Sequence, residues 1–208
     1  MARPKRLLIA PAEENSIGYA SNVTGDTFVL ISNDADDSLA HRVDIRNDSA
    51  TNHSGKTITL VGTDADGEPL TEVVTGPTAG ATVTSTNYFL VLDSATPSAT
   101  IGADTFDIGW VDEIITPSLA LDFYASATAT VAIDISGTIN TTMQETFQDV
   151  LGTIAAGRNL TWSDITNLTG VTADAVESTM AMATGVRLVV NSYATGATIQ
   201  LDVIQGRS

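Results

Sequence analysis

Short runs of β-branched residues, each soon cut off by glycine, proline or aspartate, constrain this chain more than any other feature. Thr57-Ile58-Thr59-Leu60-Val61 and Ala127-Thr128-Ala129-Thr130-Val131-Ala132-Ile133 place threonine among apolar neighbours at every second position or nearly so. Branching at Cβ stiffens χ1 and disfavours helix, while threonine's small polar head suits the pleated, half-wet face of a strand. Many such runs separated by turn residues predict an all-β protein. The expected architecture is a jelly-roll or β-sandwich, or two tandem β-domains, with an extended N-terminal arm and at most one short helix.

Residues 1–20 read as that arm: basic at Arg3, Lys5 and Arg6, apolar at Leu7, Leu8 and Ile9, then polar. An arm of this kind frays unless tied down, so it is expected either to clasp a neighbouring subunit or to be an ordinary first strand. A first β-rich domain, 21–115, is expected to hold strands at 27–31, 41–46, 57–62, 70–75, 81–86, 88–92, 99–101 and 104–110. Its clearest hairpin turns at 63–69, where Asp64, Asp66 and Gly67 supply the turn conformations.

The corner at 114–117 is the expected boundary with a second β-rich domain, 116–208. Strands are expected there at 119–124, 129–135 and 139–147, with a terminal hairpin of 185–191 and 198–204. Val186, Leu188 and Val190 should face the core with Ile199, Leu201 and Val203. Phe147, Val150, Leu151 and Ile154 fall at helical spacing before Gly157, which predicts a helix of a turn or two. Trp110, Trp162, Phe89, Phe106, Phe123 and Phe147 are the expected bulky core pieces.

Charge narrows the partners. The chain holds 25 acidic and 9 basic residues, a net charge of −16. Nucleic-acid binding needs cations to neutralise phosphates, so the body should repel DNA, RNA and anionic lipid alike. Cysteine is absent, which excludes disulfides and thiolate metal sites. The run Leu7-Leu8-Ile9-Ala10, stopped by Pro11, is too short for the apolar region of a signal peptide. The expectation is synthesis in the cytoplasm without a secretion signal or a membrane span.

No catalytic residue, cofactor or metal site is expected. Asp64-x-Asp66-Gly67-Glu68 resembles the start of a calcium loop, but glycine falls fourth, Pro69 sixth and Thr75 twelfth, so it reads as a turn. Asp34, Asp36 and Asp37 read as a solvated loop rather than a weak calcium site. His41 and His53 are not spaced as a ligand pair and read as surface or loop histidines. Six Asn-x-Ser/Thr sequons, among them Asn47 and Asn52, are better explained by asparagine opening turns than by glycosylation. Nucleophile elbow, Walker A and dinucleotide fingerprints are absent.

Two stretches carry a resemblance. Thr57-Ile-Thr-Leu-Val-Gly-Thr-Asp-Ala-Asp-Gly-Glu-Pro-Leu-Thr-Glu-Val-Val-Thr-Gly-Pro77, continuing into Val83-Thr-Ser-Thr-Asn-Tyr-Phe89, resembles a strand-turn-strand pattern of tailed-bacteriophage virion proteins. Val186-Arg-Leu-Val-Val-Asn191 with Ala197-Thr-Ile-Gln-Leu-Asp-Val-Ile-Gln205 resembles the closing strands of the same group. The resemblance implies a non-enzymatic particle component. Combined with the charge, it favours a capsid decoration or cement protein on the outside of a head, bridging capsomers as an oligomer, a trimer by preference. Its partners would be the major capsid protein, other virion proteins and copies of itself. Arg3, Lys5, Arg6, Leu7, Leu8 and Ile9 are the expected partner-binding residues. A neck, tail or fibre component, and a β-sandwich module binding glycans or cell surfaces, remain as alternatives.

Overall fold

The computed structural model describes residues 5–9, 20–21, 28–35, 37–122, 129–179 and 183–205. The first strands are β1 (Lys5–Ile9), β2 (Ala20–Ser21), β3 (Ala40–Asn47), β4 (Thr57–Thr63), β5 (Pro69–Thr75), β6 (Thr82–Thr84), β7 (Val91–Pro97) and β8 (Thr105–Ile115). They are followed by β9 (Leu119–Ala120), β10 (Ala129–Ser136), β11 (Ile139–Thr146), the helix α1 (Val150–Ala155) and β12 (Ser163–Asp164). A single 3-10 turn at Thr166–Leu168 leads to β13 (Ala175–Ser178), β14 (Gly185–Tyr193) and β15 (Thr198–Gln205). The described residues are all-β with one short helix.

Two compact units share these strands, and they are nested in the sequence. One comprises Met1–Pro11 and Glu113–Ser208; the other, Ala12–Asp112, is spliced between β1 and the last residues of β8.

In the split unit one sheet has the order β1-β15-β10-β13 and the other runs β12-β11-β14. The end of β8 and β9 complete the second sheet by pairing with β14, Ile114 opposite Val190 and Leu119 opposite Val186. Counting the end of β8 and β9 as one position, the first, last, third and sixth strands of this unit form one sheet. The second, seventh, fourth and fifth form the other. That is the strand order of a jelly roll, a double sheet built from two Greek keys. Its inward faces are the expected ones: Val186, Leu188, Val190 and Ile199 are wholly buried, and Leu201 and Val203 nearly so.

The partners of those strands differ from expectation. β14 and β15 do not form a terminal hairpin; β14 pairs with β11 and β15 with β10 and β1, in opposite sheets. Alternation tells which side of a strand is apolar, not which strand lies beside it. The β10–β11 and β14–β15 links both cross between sheets, and they meet. Gly137, at φ +92°, leaves only 3.0 Å between an added Cβ and the Cα of Ala197. Ala194 N–H donates to Thr138 O at 2.9 Å beside this contact.

The helix forms where its spacing predicts. Asp149 caps it by accepting from Gly152 N–H at 3.1 Å, and Gly157 follows at φ +63°. Only Val150 of α1 is buried, however, and Phe147 is 49% exposed. The expectation of a core role for Phe147 therefore fails. A helix this short lays one residue on the sheet, and Phe147 sits just past the last paired residue of β11.

The continuous unit is a smaller β-sandwich. One sheet places β3 between β8 and β6, with β2 also on β8; the other has the order β5-β4-β7. Their core includes Val43, Ile45, Ile58, Leu60, Phe89, Leu92, Phe106, Ile108 and Trp110. The 57–63 and 69–75 hairpin forms as expected, in register from Thr57 opposite Thr75 to Thr63 opposite Pro69. Residues 28–30 are not a strand, although Phe28 N–H donates to Ala95 O at 2.9 Å. Likewise 99–101 is irregular, leading from a bend into the turn at 102–103, and the strand expected at 88–92 begins only at Val91. Expected strand residues 123–124, together with Phe123, lie outside the described residues.

Candidate functional site

The N-terminal segment is the first place to look, because the cations and the apolar run sit together there. Lys5, Arg6, Leu7, Leu8 and Ile9 form β1, antiparallel to β15 of the same chain, with Lys5 opposite Val203 and Ile9 opposite Ile199. Arg3 lies outside the described residues. Among the described strands β1 ends its sheet, as does β13 at the opposite edge. An end strand presents backbone N–H and C=O groups to whatever lies beside it.

The histidines depart from expectation. Both are buried, at 1% and 2% exposure, and each meets an aspartate. His41, on β3, points Nδ1 at Val111 O (3.0 Å) and Nε2 at both carboxyl oxygens of Asp37 (3.1 and 3.0 Å). A carbonyl oxygen can only accept, so Nδ1 carries hydrogen, and a further proton must lie between Nε2 and Asp37. Asp37 also accepts from Leu39 N–H at 2.9 Å. This aspartate therefore leaves the solvated loop that its acidic neighbours suggest, its side chain only 3% exposed.

His53 sits in the loop after β3, against the ring of Phe106 at 5.2 Å between centroids. Its Nε2 lies 2.7 Å from Asp104 Oδ2, and Lys56 Nζ lies 3.2 Å from its Nδ1. An ammonium group cannot accept, so Nδ1 is the acceptor and Nε2–H donates to Asp104. Lys56 donates its next hydrogen to Thr100 O at 2.6 Å. The hydrogen bond from His53 holds the Asp104 carboxyl below the usual aspartate range.

Asp107 behaves the opposite way: burial, then the neighbouring Asp48 carboxyl, pushes its pKa up. Arg46 Nε approaches Asp48 Oδ1 at 2.8 Å and offsets part of that repulsion. Residues 64–68 form the expected turn. Asp64 Oδ1 accepts from the N–H groups of Asp66 and Glu68, both at 2.9 Å. Among the described residues no group of three or more histidine or acidic side chains converges as a metal site. Asn47 and Asn52 open turns, their side-chain oxygens each accepting the N–H two residues on at 2.9 Å.

Sequence reading missed these pairs for a physical reason. Four residues separate Asp37 from His41, a spacing that aligns side chains on a helix and carries no such meaning between a loop and a strand. Asp104 reaches His53 only through the pairing of distant strands. The arrangement ties loops to strands.

Large apolar side chains left outside complete the inventory. Among the described residues they are Val29, Ile31, Val61 and Val73 on the continuous unit, and Phe147, Leu151, Val176 and Ile204 on the split unit. Trp162, expected in the core, is half-buried, and the Arg187 guanidinium stacks over it at 4.4 Å.

No family model matches the chain, and no curated protein matches it in sequence. Solved structures with some similarity include the major capsid protein P2 of bacteriophage PM2, at 11% identity over 98% of both chains with a TM-score of 0.20. A Sulfolobus turreted icosahedral virus structure matches at 16% identity over 98% of this chain and 61% of the other, TM-score 0.21. A structure described as the triple jelly roll fold and turret assembly of an archaeal virus matches at 16% identity, covering 99% and 60%, TM-score 0.21. Scores of this size do not equate folds, and the architecture described above rests on strand order and register.

Proposed function

We propose that this chain is a virion structural protein, most specifically a decoration or cement protein that stabilises a capsid by bridging capsomers as an oligomer. The observation that carries the reading is the strand order of the split unit, a jelly roll with a second β-sandwich spliced in after its first strand. Jelly rolls build capsid shells among other things, so the fold raises this reading without entailing it. The net charge of −16 and the resemblance at 57–89 and 186–205 support the same reading.

Such a protein works mechanically. Each copy buries surface across a joint, and separating the joint costs the sum of those contacts. The segment assigned to partner contact is Arg3, Lys5, Arg6, Leu7, Leu8 and Ile9, with β1 as an end strand that a neighbour's strand can extend. Particles stripped of the protein should burst at lower temperature or internal pressure than complete ones; equal robustness sinks the reading. Labelled copies spread over the shell support decoration, whereas a single labelled vertex moves the protein to the neck or tail. Binding on a glycan array, with melting raised by calcium, would move it to the binding-module class.

A further inference from the structure

His53, Ser54, Gly55 and Lys56 form one tight turn just before β4. Lys56 N–H donates to His53 O at 2.9 Å, the fourth-to-first bond that closes a β-turn. Both ends of the turn are pinned to the strand end at 76–77. His53 N–H donates to Pro77 O at 3.1 Å, and Gly76 N–H donates to Lys56 O at 2.8 Å. Gly76 passes so close that an added Cβ would lie 2.5 Å from His53 O. The backbone that carries His53 and Lys56 is therefore held in one arrangement, which fixes how their side chains meet.

Those side chains stand in a row with Asp104. Asp104 Oδ2 accepts from His53 Nε2–H at 2.7 Å, and His53 Nδ1 accepts from Lys56 Nζ at 3.2 Å. The Thr51 and Ser49 side chains also hydrogen-bond to Asp104, which helps to keep its carboxyl ionised. A carboxylate, an imidazole and an amine in that order make an oriented base beside a nucleophile. His53 is 2% exposed. Lys56 is only half-buried, and Ser54 and Gly55 in its turn and Thr100, whose carbonyl it binds, are exposed. A small electrophile can thus reach Nζ while the base stays dry.

We propose that Lys56 is a site of covalent acylation, with His53 as the base and a neutral activated ester or thioester as the acyl donor. Neutrality follows from charge, since a chain at −16 repels anionic donors. Nζ first passes one proton to His53 Nδ1, and Asp104 stabilises the imidazolium. The neutral amine then attacks the carbonyl carbon. The N–C bond forms, the C–O or C–S bond breaks, and the leaving group departs with the electron pair and takes up the second Nζ proton. The imidazolium returns its proton to solvent. The acylated Nζ keeps one hydrogen, which can serve His53 or Thr100 O but not both. Acylation therefore removes a cation and frees one side of the turn.

The chain has two lysines, Lys5 and Lys56, so peptide mass spectrometry separates the products. The folded full chain and Nα-acetyl-lysinamide compete at neutral pH for a limiting amount of N-acetoxysuccinimide. Burial alone would slow Lys56; with His53 as base it should react about tenfold faster than the competitor, or more. In concentrated urea that advantage should vanish. Asp104→Asn keeps an oxygen for Nε2–H but loses the charge that stabilises the imidazolium. Its Lys56 should fall back toward the competitor's rate, with circular dichroism unchanged. Should Asp104→Asn unfold, His53→Gln provides the same readout. Acetylation of folded Lys56 no faster than the competitor, an advantage that survives in urea, or a rate untouched in both variants overturns the proposal.

Discussion

Asp104 and Lys56 together decide which nitrogen of His53 carries hydrogen, and that small decision anchors the loop after β3. Replacing Asp104 with alanine leaves a buried N–H facing nothing it can donate to, so the melting temperature should fall by a few degrees. The pH dependence has a definite sign. Because the fold lowers the Asp104 pKa, the native state holds that proton less tightly than the unfolded chain. The contribution is therefore present above the unfolded carboxylate value and is lost as pH falls through the folded one. In strong acid the wild type and Asp104→Asn should melt more nearly alike than at neutral pH. Asp107 runs the other way: its pKa is raised, so its stabilising form is the protonated one, lost as pH rises. Asp107→Asn should raise stability at neutral pH by up to about 1 kcal/mol after solvent screening, an advantage that disappears in acid. Thermal melts across pH, comparing both variants with wild type, read these effects directly.

Strands and turns were the legible part of this chain, and the exceptions are instructive. The 57–75 hairpin and α1 appear where local pattern places them, since a turn residue or a helical spacing acts over a few neighbours. Residues 28–30 have a strand's composition and alternate in burial like one, yet lack a ladder, because a strand is completed by its neighbour. Gly62 shows how tightly one ladder is drawn. An added Cβ would lie 1.9 Å from Val91 O, at the point where the β4–β7 register shifts. Gly62→Ala must push two paired backbones apart, with an expected loss of about 3 kcal/mol, the upper range for overpacking. Urea titration gives the number. A loss within error would mean that the bulge absorbs the methyl group.

Across the whole molecule the first strand matters more than its five residues suggest. β1 is separated in sequence from every strand of its own sheet, yet it pairs with β15 near the chain's other end. A variant lacking residues 1–9 should lose hydrogen-exchange protection along β15 while the 57–75 hairpin keeps its own. Undiminished protection of β15 would show that β1 contributes little to that sheet. A closing hairpin seemed natural because chain neighbours often pair. In a jelly roll they are divided between sheets, and residues 194–197 are a crossing rather than a turn within one sheet.

The line between the two kinds of knowledge is drawn by distance along the chain. Period-two alternation, turn residues and the placement of charge are local properties. They were enough to establish an all-β body, the buried faces of β14 and β15 and one short helix among the described residues. Strand partners, the nesting of one unit inside the other and the burial of His41 and His53 are sums over contacts between residues far apart in sequence. Alternation is equally satisfied by many pairings, and the fold chose among them by burying the inward faces of the paired sheets together. Threonine shows both sides of that line. Its frequency announced strands, but its cross-strand pairing with valine, Thr59 opposite Val73 and Thr71 opposite Val61, became visible only when β4 and β5 were laid side by side.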